Sequence, residues 1–244
     1  MRLSSIMLAI ASMALVFIFM LSVFDMGSDS TQQQAPEPSL AQMPSYGWAG
    51  VLFEPTLFSS EEIDEMLANA PHYSQTRPTS PHPDRAMTNS EREEWIADYY
   101  YLGGLNAQEL EMYKIINEIR AEHDLPPFIL CPRLSMAARL FSYLQVTHHS
   151  SGHTDPYYTT FSDRIHFFGV QGRIYMENAN SERWYEKPDG SIEYIYQTPR
   201  ELIDGWLSSQ PHREHILTTD TTHVGFGIDS GRNRVVPTMK SCGF

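Results

Sequence analysis

Residues 211–217 read PHREHIL, a stretch that places two histidines and a glutamate close together. In zinc proteases a helix carries two histidines four residues apart, so that both imidazoles bind the metal and a neighbouring glutamate acts as base. Here His212 and His215 are three residues apart, and Glu214 stands directly before the second histidine. Both imidazoles would still share a helix face, but Glu214 would be misplaced as the base. The stretch is therefore not a zinc-protease motif, and His212 needs partners from elsewhere in the chain.

Composition excludes several classes of function. The chain has 244 residues, 41% of them hydrophobic, which is enough for one main domain with attachments. The formal net charge is -13 and no patch of Lys and Arg is present, which argues against nucleic acid as a partner. No glycine-rich phosphate loop and no dinucleotide fingerprint occur. Divalent cations or uncharged ligands fit this composition better.

The first residues determine the expected location of the protein. Ile6 to Phe24 form an apolar run that is about long enough to cross a hydrocarbon core of ~30 Å. The run is longer than that of a cleaved signal peptide, and the nearest small-residue cleavage site lies at 39–41. We expect residues 1–26 to be a single-pass membrane anchor, with the rest of the chain outside the cytoplasm. Secretion after cleavage is the alternative.

Two segments separate the anchor from the main domain. Residues 27–46 are rich in Ser, Gln and Pro and are expected to be a disordered linker. Residues 47–104 carry two short helical patterns, Ser59 to Ala70 and Asn89 to Tyr101. We interpret them as a helical extension that packs on the main domain, with a separate functional module as the alternative.

The main domain, residues 105–244, reads as helices followed by strands mixed with a helix. Capping boxes begin helices at Asn106 and Thr198, and an apolar stripe predicts another helix over Leu134 to Val146. The predicted strands are Arg173 to Ala179, His223 to Asp229 and Arg234 to Lys240, the last as an edge strand or with a bulge because it contains Pro237. This order predicts an α+β fold rather than a parallel sheet.

Seven segments in order resemble one known family. They are NEIRAEHDLPPF (117–128), Leu134 with the Ala-Ala-Arg of 137–139, GHTDP (152–156), DRI with the following Gly169, MENAN (176–180), TPRELIDGWLSSQPHREHIL (198–217) and HVGFGI (223–228). Each segment alone is weakly specific, whereas seven in the right order are strongly specific. Over residues 105–244 the chain therefore resembles the CAP superfamily, or SCP domain, and in particular its short bacterial secreted members.

The resemblance implies an α-β-α sandwich, in which helices flank a central antiparallel sheet. It also implies a cleft built around two histidines and two acidic residues. Carried over by position, three members of the cleft are His153, Glu177 and His212. The fourth position falls on Ser209, which has no carboxylate. This departure argues against any function that requires both acids.

Two imidazoles could bind Zn²⁺ or a similar divalent ion. His153 and His212 are the candidate metal ligands, and Glu177 would orient one of them or hold a water. Without a second acid at the site, such an ion is expected to bind weakly and to exchange. The alternative is a structural cluster, in which the same three side chains are hydrogen-bonded and hold helices to the sheet.

Other polar residues of these segments receive structural interpretations. Asp163 and Arg164 are expected to form a local salt bridge or to anchor a loop. Asn178 is expected to cap a turn, and His215 to lie close enough to His212 to tune it.

The leading interpretation of function is an extracytoplasmic, membrane-tethered protein whose His/Glu cleft binds a small or extended ligand, with or without a divalent metal. No serine nucleophile elbow occurs, so covalent hydrolysis is unsupported. One alternative is a metal-assisted cell-surface hydrolase, with the metal on the two histidines and Glu177 as base. Another is a protein-interaction or sterol/lipid-binding module, which the resemblance also allows.

The only two cysteines, Cys131 and Cys242, lie in the main domain. An even pair in an oxidising compartment is expected to form a disulfide. The alternative is two free thiols, because the sequence does not show that the two Cα atoms approach within about 7 Å.

Residues 183–197 form an insertion between the MENAN and TPRE segments. Its Pro188, Asp189 and Gly190 are a turn signal, and apolar side chains alternate after the turn. We expect a β-hairpin that presents aromatic residues near the mouth of the cleft. The alternative is a hairpin that packs only against its own helix.

Overall fold

A computed structural model describes residues 54–79, 81–158, 160–179, 183–231 and 234–244 of the chain. The expected membrane anchor and linker, residues 1–46, lie outside the described residues. Within the described ranges, no helix has the length and apolar character needed to cross a bilayer.

Seven α-helices and six β-strands form the described part of the chain, and the predicted α+β class is confirmed. The helices are α1 (Ser60–Leu67), α2 (Asn89–Tyr101), α3 (Ala107–Glu122), α4 (Pro132–His148), α5 (Phe161–Phe167), α6 (Pro199–Ser208) and α7 (Gln210–Leu217), with a short 3-10 helix at Tyr73–Gln75. The strands are β1 (Ile129–Leu130), β2 (Ile174–Ala179), β3 (Arg183–Glu186), β4 (Ile192–Ile195), β5 (His223–Gly231) and β6 (Arg234–Gly243).

The predicted capping boxes begin the helices that position the site. The Asn106 side chain accepts the Glu109 N–H at 2.9 Å, and Thr198 caps α6 in the same way. The helix that starts at Thr198 ends at Ser208, and the separate helix α7 was not predicted. Ser209 between them is extended, with φ -98° and ψ 123°, and Pro211 then lies in the first turn of α7, where a missing N–H costs little.

The main sheet has the strand order β1-β5-β6-β2. Strand β6 is antiparallel to both β5 and β2, whereas β1 runs parallel to β5 over two residues. The expected antiparallel sheet is therefore found for β5, β6 and β2, and the expectation is wrong only for β1 at the edge. The connection from β1 to β5 contains four helices, β2 and the hairpin, so it is far longer than the minimum that a parallel pair requires.

Strand β6 lies between β5 and β2 and not at an edge, contrary to the expectation from Pro237. Pro237 pairs with Ile228, whose N–H points away from β6 and donates to Glu109 Oε1 at 3.0 Å. This pair therefore exchanges no ladder bonds. The nitrogen of Pro237 faces the side of β6 on which β2 lies. The last described pair between these two strands is Ala179 with Thr238, so Pro237 lies one residue beyond it. Among the described residues, no strand partner needs the missing N–H of this proline.

Helices cover both faces of the main sheet. On one face, α4 lies directly against β5: a Cβ on Gly225 would lie 2.2 Å from the Ser135 nitrogen, and one on Gly227 would lie 2.1 Å from the Arg139 nitrogen. Apolar side chains of α2 and α5 join α4 in the cluster on this face. On the other face, apolar residues of β5 pack with α1, α3, α6 and α7.

A buried ion pair joins the two helical layers at the edge of β5 that faces away from β6. Arg139 of α4 donates its Nε to Glu109 Oε1 of α3 at 3.0 Å, and its Nη2 also contacts this carboxylate. The same carboxylate accepts the N–H groups of Asn106 and Ile228. Both charged side chains are fully buried. This pair fixes α4, and α4 in turn carries the loop that contains His153.

The predicted β-hairpin is confirmed by the antiparallel pairing of β3 with β4. The turn is closed by the Lys187 N–H, which donates to the Ser191 carbonyl at 2.8 Å. Gly190 in this turn has a φ of 81°, a value that favours glycine.

Cys131 and Cys242 are free thiols in the structure, and both are buried in the cluster beneath α4. Burial, with the neighbouring Cys131 as a further cause, raises the pKa of Cys242 to about 12. The disulfide between them stays a prediction.

Candidate functional site

Three segments bring two histidines and a glutamate together. His153 follows α4 in a loop that is held by Gln145, whose Nε2 donates to the Gly152 carbonyl at 2.7 Å. Glu177 lies in β2, and His212 lies in the first turn of α7. The Nδ1 atom of His153 is 2.9 Å from Glu177 Oε1, and the ring centroids of the two histidines are 6.3 Å apart.

Solvent reaches the histidines but not the carboxylate. The His153 side chain is 48% exposed, whereas only 1% of the Glu177 side chain is exposed. His212 is half-buried, and burial together with the nearby His153 lowers its pKa. The cluster therefore presents imidazoles at the surface and keeps its negative charge beneath them.

Two buried cations hold Glu177 in place. Lys240, its cross-strand partner on β6, contacts Oε2, and Arg164 of α5 donates Nη2 to both carboxylate oxygens at 3.1 and 3.2 Å. Burial would raise the pKa of Glu177, but the charge of Lys240, the hydrogen bond of His153 and the charge of Arg164 lower it to about 2. Since an ionised carboxylate only accepts, His153 donates its Nδ1 proton to this bond.

Asp155 completes a buried network with balanced charge. It contacts Nη1 of Arg164, and both side chains are fully buried. Asp155 and Glu177 thus offset Arg164 and Lys240, with two negative and two positive charges. Burial lowers the pKa of Lys240 to about 8 against the opposing effect of Glu177, so its ammonium group is still protonated at pH 7.

Of the two interpretations of Asp163 and Arg164, the local salt bridge is wrong, whereas Arg164 does anchor a loop because its Nη2 donates to the His153 carbonyl at 3.1 Å. Arg164 is directed at Asp155 and Glu177, whereas the Asp163 carboxylate accepts the Thr160 N–H at 2.7 Å and caps the start of α5. Neighbouring side chains on a helix point in different directions, so adjacency in sequence does not pair them.

A second buried network positions His212 through its backbone. Asn178 of β2 donates Nδ2 to the His212 carbonyl at 3.0 Å and contacts His215 Nδ1 through Oδ1 at 2.8 Å. The other nitrogen of His215 lies 2.6 Å from Ser241 Oγ. Burial lowers the pKa of His215 to about 3, which keeps this imidazole neutral at pH 7. Asn178 therefore does not cap a turn, and His215 supports the backbone of His212 through Asn178.

Sequence reasoning missed Lys240 and Asp155 as parts of this site. Asp155 belongs to the GHTDP segment and could have been suspected from its position two residues after His153. Lys240 is paired with Glu177 by the register of β2 against β6, and no local signal in the sequence specifies that register.

The donor set suits weak metal binding at best. The two carboxylate oxygens of Glu177 are occupied by His153, Arg164 and Lys240, which leaves the imidazoles of His153 and His212 as candidate ligands. Their centroids are 6.3 Å apart. A tetrahedral zinc ion with Zn–N bonds of about 2.0–2.1 Å would require roughly 5 Å, so the rings would have to approach each other by about 1 Å. In the described part of the chain, no three His, Cys, Asp or Glu residues are grouped to hold a metal ion.

Residues 113–244 match the family model described as CAP, the cysteine-rich secretory protein family. Two proteins of Bacillus subtilis are similar to the chain. The "Uncharacterized protein YkwD" is 27% identical over 128 residues, which cover 52% of this chain and 45% of that protein. The "Uncharacterized membrane protein YlbC" is 25% identical over 121 residues, which cover 50% of this chain and 31% of that protein. The chain thus spans less than half the length of either relative.

Two solved structures align with about half of the chain. An extracellular protein containing a SCP domain from Bacillus anthracis aligns with 20% identity and a TM-score of 0.48, over 56% of this chain and 40% of that one. An outer surface protein from Borrelia burgdorferi aligns with 18% identity and a TM-score of 0.46, over 55% of this chain and 90% of that one.

Proposed function

Because the chain belongs to the cysteine-rich secretory protein (CAP) family, whose model spans more than half of it, we propose that the cluster of His153, Glu177 and His212 is a ligand-binding site on the outer side of a membrane. In this proposal, residues 1–26 tether the protein and the histidines receive the ligand. The observation that carries it is the hydrogen bond from the half-exposed His153 to the buried Glu177. This bond fixes one ring nitrogen and leaves Nε2 for a ligand.

Electrostatics favour binding over hydrolysis. A general base works best when its pKa lies near the working pH. The pKa of Glu177 is about 2, and its oxygens already contact two cations and an imidazole. Glu177 is therefore a positioning residue for His153 and a poor base for a metal-bound water. This argues against the metal-assisted hydrolase in which Glu177 removes the proton.

The ligand group that the site favours is polar and carries no excess negative charge. An imidazole can donate or accept a hydrogen bond at its second nitrogen, and the lowered pKa of His212 keeps that ring neutral. A divalent cation such as Zn²⁺ is the second candidate, held by His153 and His212 with water in its remaining positions. A bound ion would supply a positive charge at this surface.

Zinc titration tests the metal candidate. Isothermal calorimetry would compare wild type, His153→Ala, His212→Ala and His166→Ala, which removes an exposed histidine outside the site. We expect weak binding by wild type and the His166 control and a loss of at least about tenfold in each cleft variant. Equal binding by all four proteins would overturn the metal candidate. A hydrolytic activity that is lost on chelation and restored by Zn²⁺ would overturn the binding role.

The tether is tested by cell fractionation. The full chain should remain with membranes after a high-salt wash, and a chain whose residues 1–26 are replaced by a cleavable signal should appear in the medium. Recovery of most of the native protein from the medium, starting near Gln42, would show cleavage and overturn the tether.

A further inference from the structure

A groove separates the hairpin from the end of the main sheet. It has a volume of about 610 Å³ and lies between β4 and the ends of β5 and β6. Tyr194 and Tyr196 line it from the hairpin, and Tyr73, Ser230 and Arg234 line it from the main domain. We call it the hairpin groove. None of its lining residues belongs to the histidine cluster.

A second hollow extends the hairpin groove along β4. This hollow has a volume of about 340 Å³ and shares Ile192, Tyr194 and Arg234 with the groove. It continues to Trp184 on β3 and to residues 149–151 at the end of α4. Trp184 and Tyr194 are directly paired across the hairpin, so both rings lie on one of its faces. The two hollows together form an extended path, and an extended ligand would fit it better than a compact one.

Large aromatic rings along this path are open to solvent. Trp184 is 58% exposed and Tyr196 is 61% exposed, while the tryptophans at 95 and 206 are buried. Isolated exposed apolar residues are ordinary, but several rings in one groove are typical of a binding surface. Each ring offers a flat apolar face and, at its edge, a hydrogen-bonding group.

The charged side chains beside the rings already contact other groups of the protein. Lys187 and Glu193 form an ion pair at the hairpin. Arg234 lies with its guanidinium 5.7 Å from the Tyr194 ring and donates to the Ser150 carbonyl at 2.7 Å. The whole chain carries a net charge of -13, which disfavours a polyanion. The groove therefore offers ring faces, hydroxyl groups, an ion pair that is internally neutral and a guanidinium that already donates to a backbone carbonyl.

We propose that the hairpin groove binds an uncharged oligosaccharide, whose sugar rings stack on Trp184, Tyr194 and Tyr196. The C–H face of a pyranose ring is apolar and flat, so it fits an aromatic face, while its hydroxyl groups reach the polar groups at the rim. An extended sugar chain follows the path along β4. This proposal does not depend on the role of the histidine cluster.

The test uses neutral and anionic oligosaccharides with the full chain in detergent. The probes are tri- to hexasaccharides of β-1,4-linked N-acetylglucosamine and of β-1,4-linked glucose, with a heparin hexasaccharide for comparison. We expect at least one neutral series to bind saturably, with affinity that rises with chain length, and to shift the fluorescence of the exposed Trp184. Trp184→Ala and Tyr196→Ala should each weaken binding about three- to tenfold.

Two control proteins make the result specific. Tyr101→Ala removes a ring that is 42% exposed on α2, outside the groove, and should bind as wild type does. A His153→Ala, His212→Ala protein should also bind normally, and its failure would assign the sugar to the histidine cluster and overturn the proposal. The proposal is likewise overturned if no neutral probe binds or if heparin binds best. It also fails if the two ring variants bind unchanged, since an extended ligand would then be using the backbone edge of β3.

Discussion

Glu177 is a buried carboxylate whose negative charge compensates the positive charges of Arg164 and Lys240. Removal of one partner from a buried charge network leaves the others uncompensated. Glu177→Gln should therefore lower the free energy of unfolding by about 3–5 kcal/mol, measured by urea denaturation at pH 7. Glu186→Gln, an exposed site on the hairpin, should change it by less than about 0.5 kcal/mol.

A double variant separates charge from packing at this position. The double variant Glu177→Gln, Lys240→Met removes one charge of each sign. It should therefore recover part of the free energy of unfolding that the single variant Glu177→Gln loses. If the double variant is no more stable than Glu177→Gln, the loss does not come from an uncompensated Lys240.

His215 should make the protein sensitive to acid. The pKa of His215 is lowered by burial to about 3, while that of an unfolded histidine is about 6.5. As the pH falls, the unfolded chain therefore binds a proton at this histidine before the folded chain does. The contribution to the free energy of unfolding is fully present above pH 6.5 and is lost as the pH falls from about 6.5 towards about 3. Between pH 7.5 and 5 this single group should remove about 2 kcal/mol. In His215→Asn the loss over the same range should be smaller by that amount, and parallel stability curves would contradict a buried neutral imidazole.

At the scale of elements, the contact between α4 and β5 determines where the His153 loop begins. Gly227→Ala would place a methyl group 2.1 Å from the Arg139 nitrogen, which is backbone and cannot rotate away. Helix and strand must separate, so we expect a loss of about 3 kcal/mol or more in the free energy of unfolding. Chemical denaturation measures it, and a loss below about 1 kcal/mol would mean that α4 shifts at little cost.

Elements with their own local signal could be predicted from sequence. The side chains of Asn106 and Thr198 satisfy the first N–H groups of α3 and α6, so the starts of these helices were predicted within a residue. The turn at 188–190 predicted the hairpin for a similar reason. The break at Ser209 and the parallel strand β1 were missed, because one extended residue and a two-residue strand leave no periodic pattern.

The partners within the candidate site were harder to predict, because they come from distant elements. The segments carrying His153, Glu177 and His212 were found through a resemblance, and the structure brings the three side chains close together. The contact of Lys240 with Glu177 depends on which residues of β2 and β6 face each other. A shift of one residue would turn Lys240 to the opposite face, and only tertiary packing selects the register.

At the scale of the whole molecule, the redox state of the compartment should decide the state of the two cysteines. Cys131 and Cys242 share one buried cluster beneath α4. In an oxidising compartment we expect a disulfide, which would close a loop of ~110 residues and stabilise the protein by about 3–5 kcal/mol if unstrained. Titration of the protein in denaturant without reductant should find no free thiol, and two free thiols would contradict the disulfide.

The place of β6 between β5 and β2 has a consequence for the timing of folding. This strand is the last one in chain order, yet it supplies Lys240 to Glu177 and pairs with two other strands. A chain that is translocated in sequence order behind its N-terminal anchor would deliver every described helix before the sheet could close. Folding on the far side would therefore wait until β6 has emerged, and the incomplete chain would expose apolar surface to chaperones and proteases in the meantime.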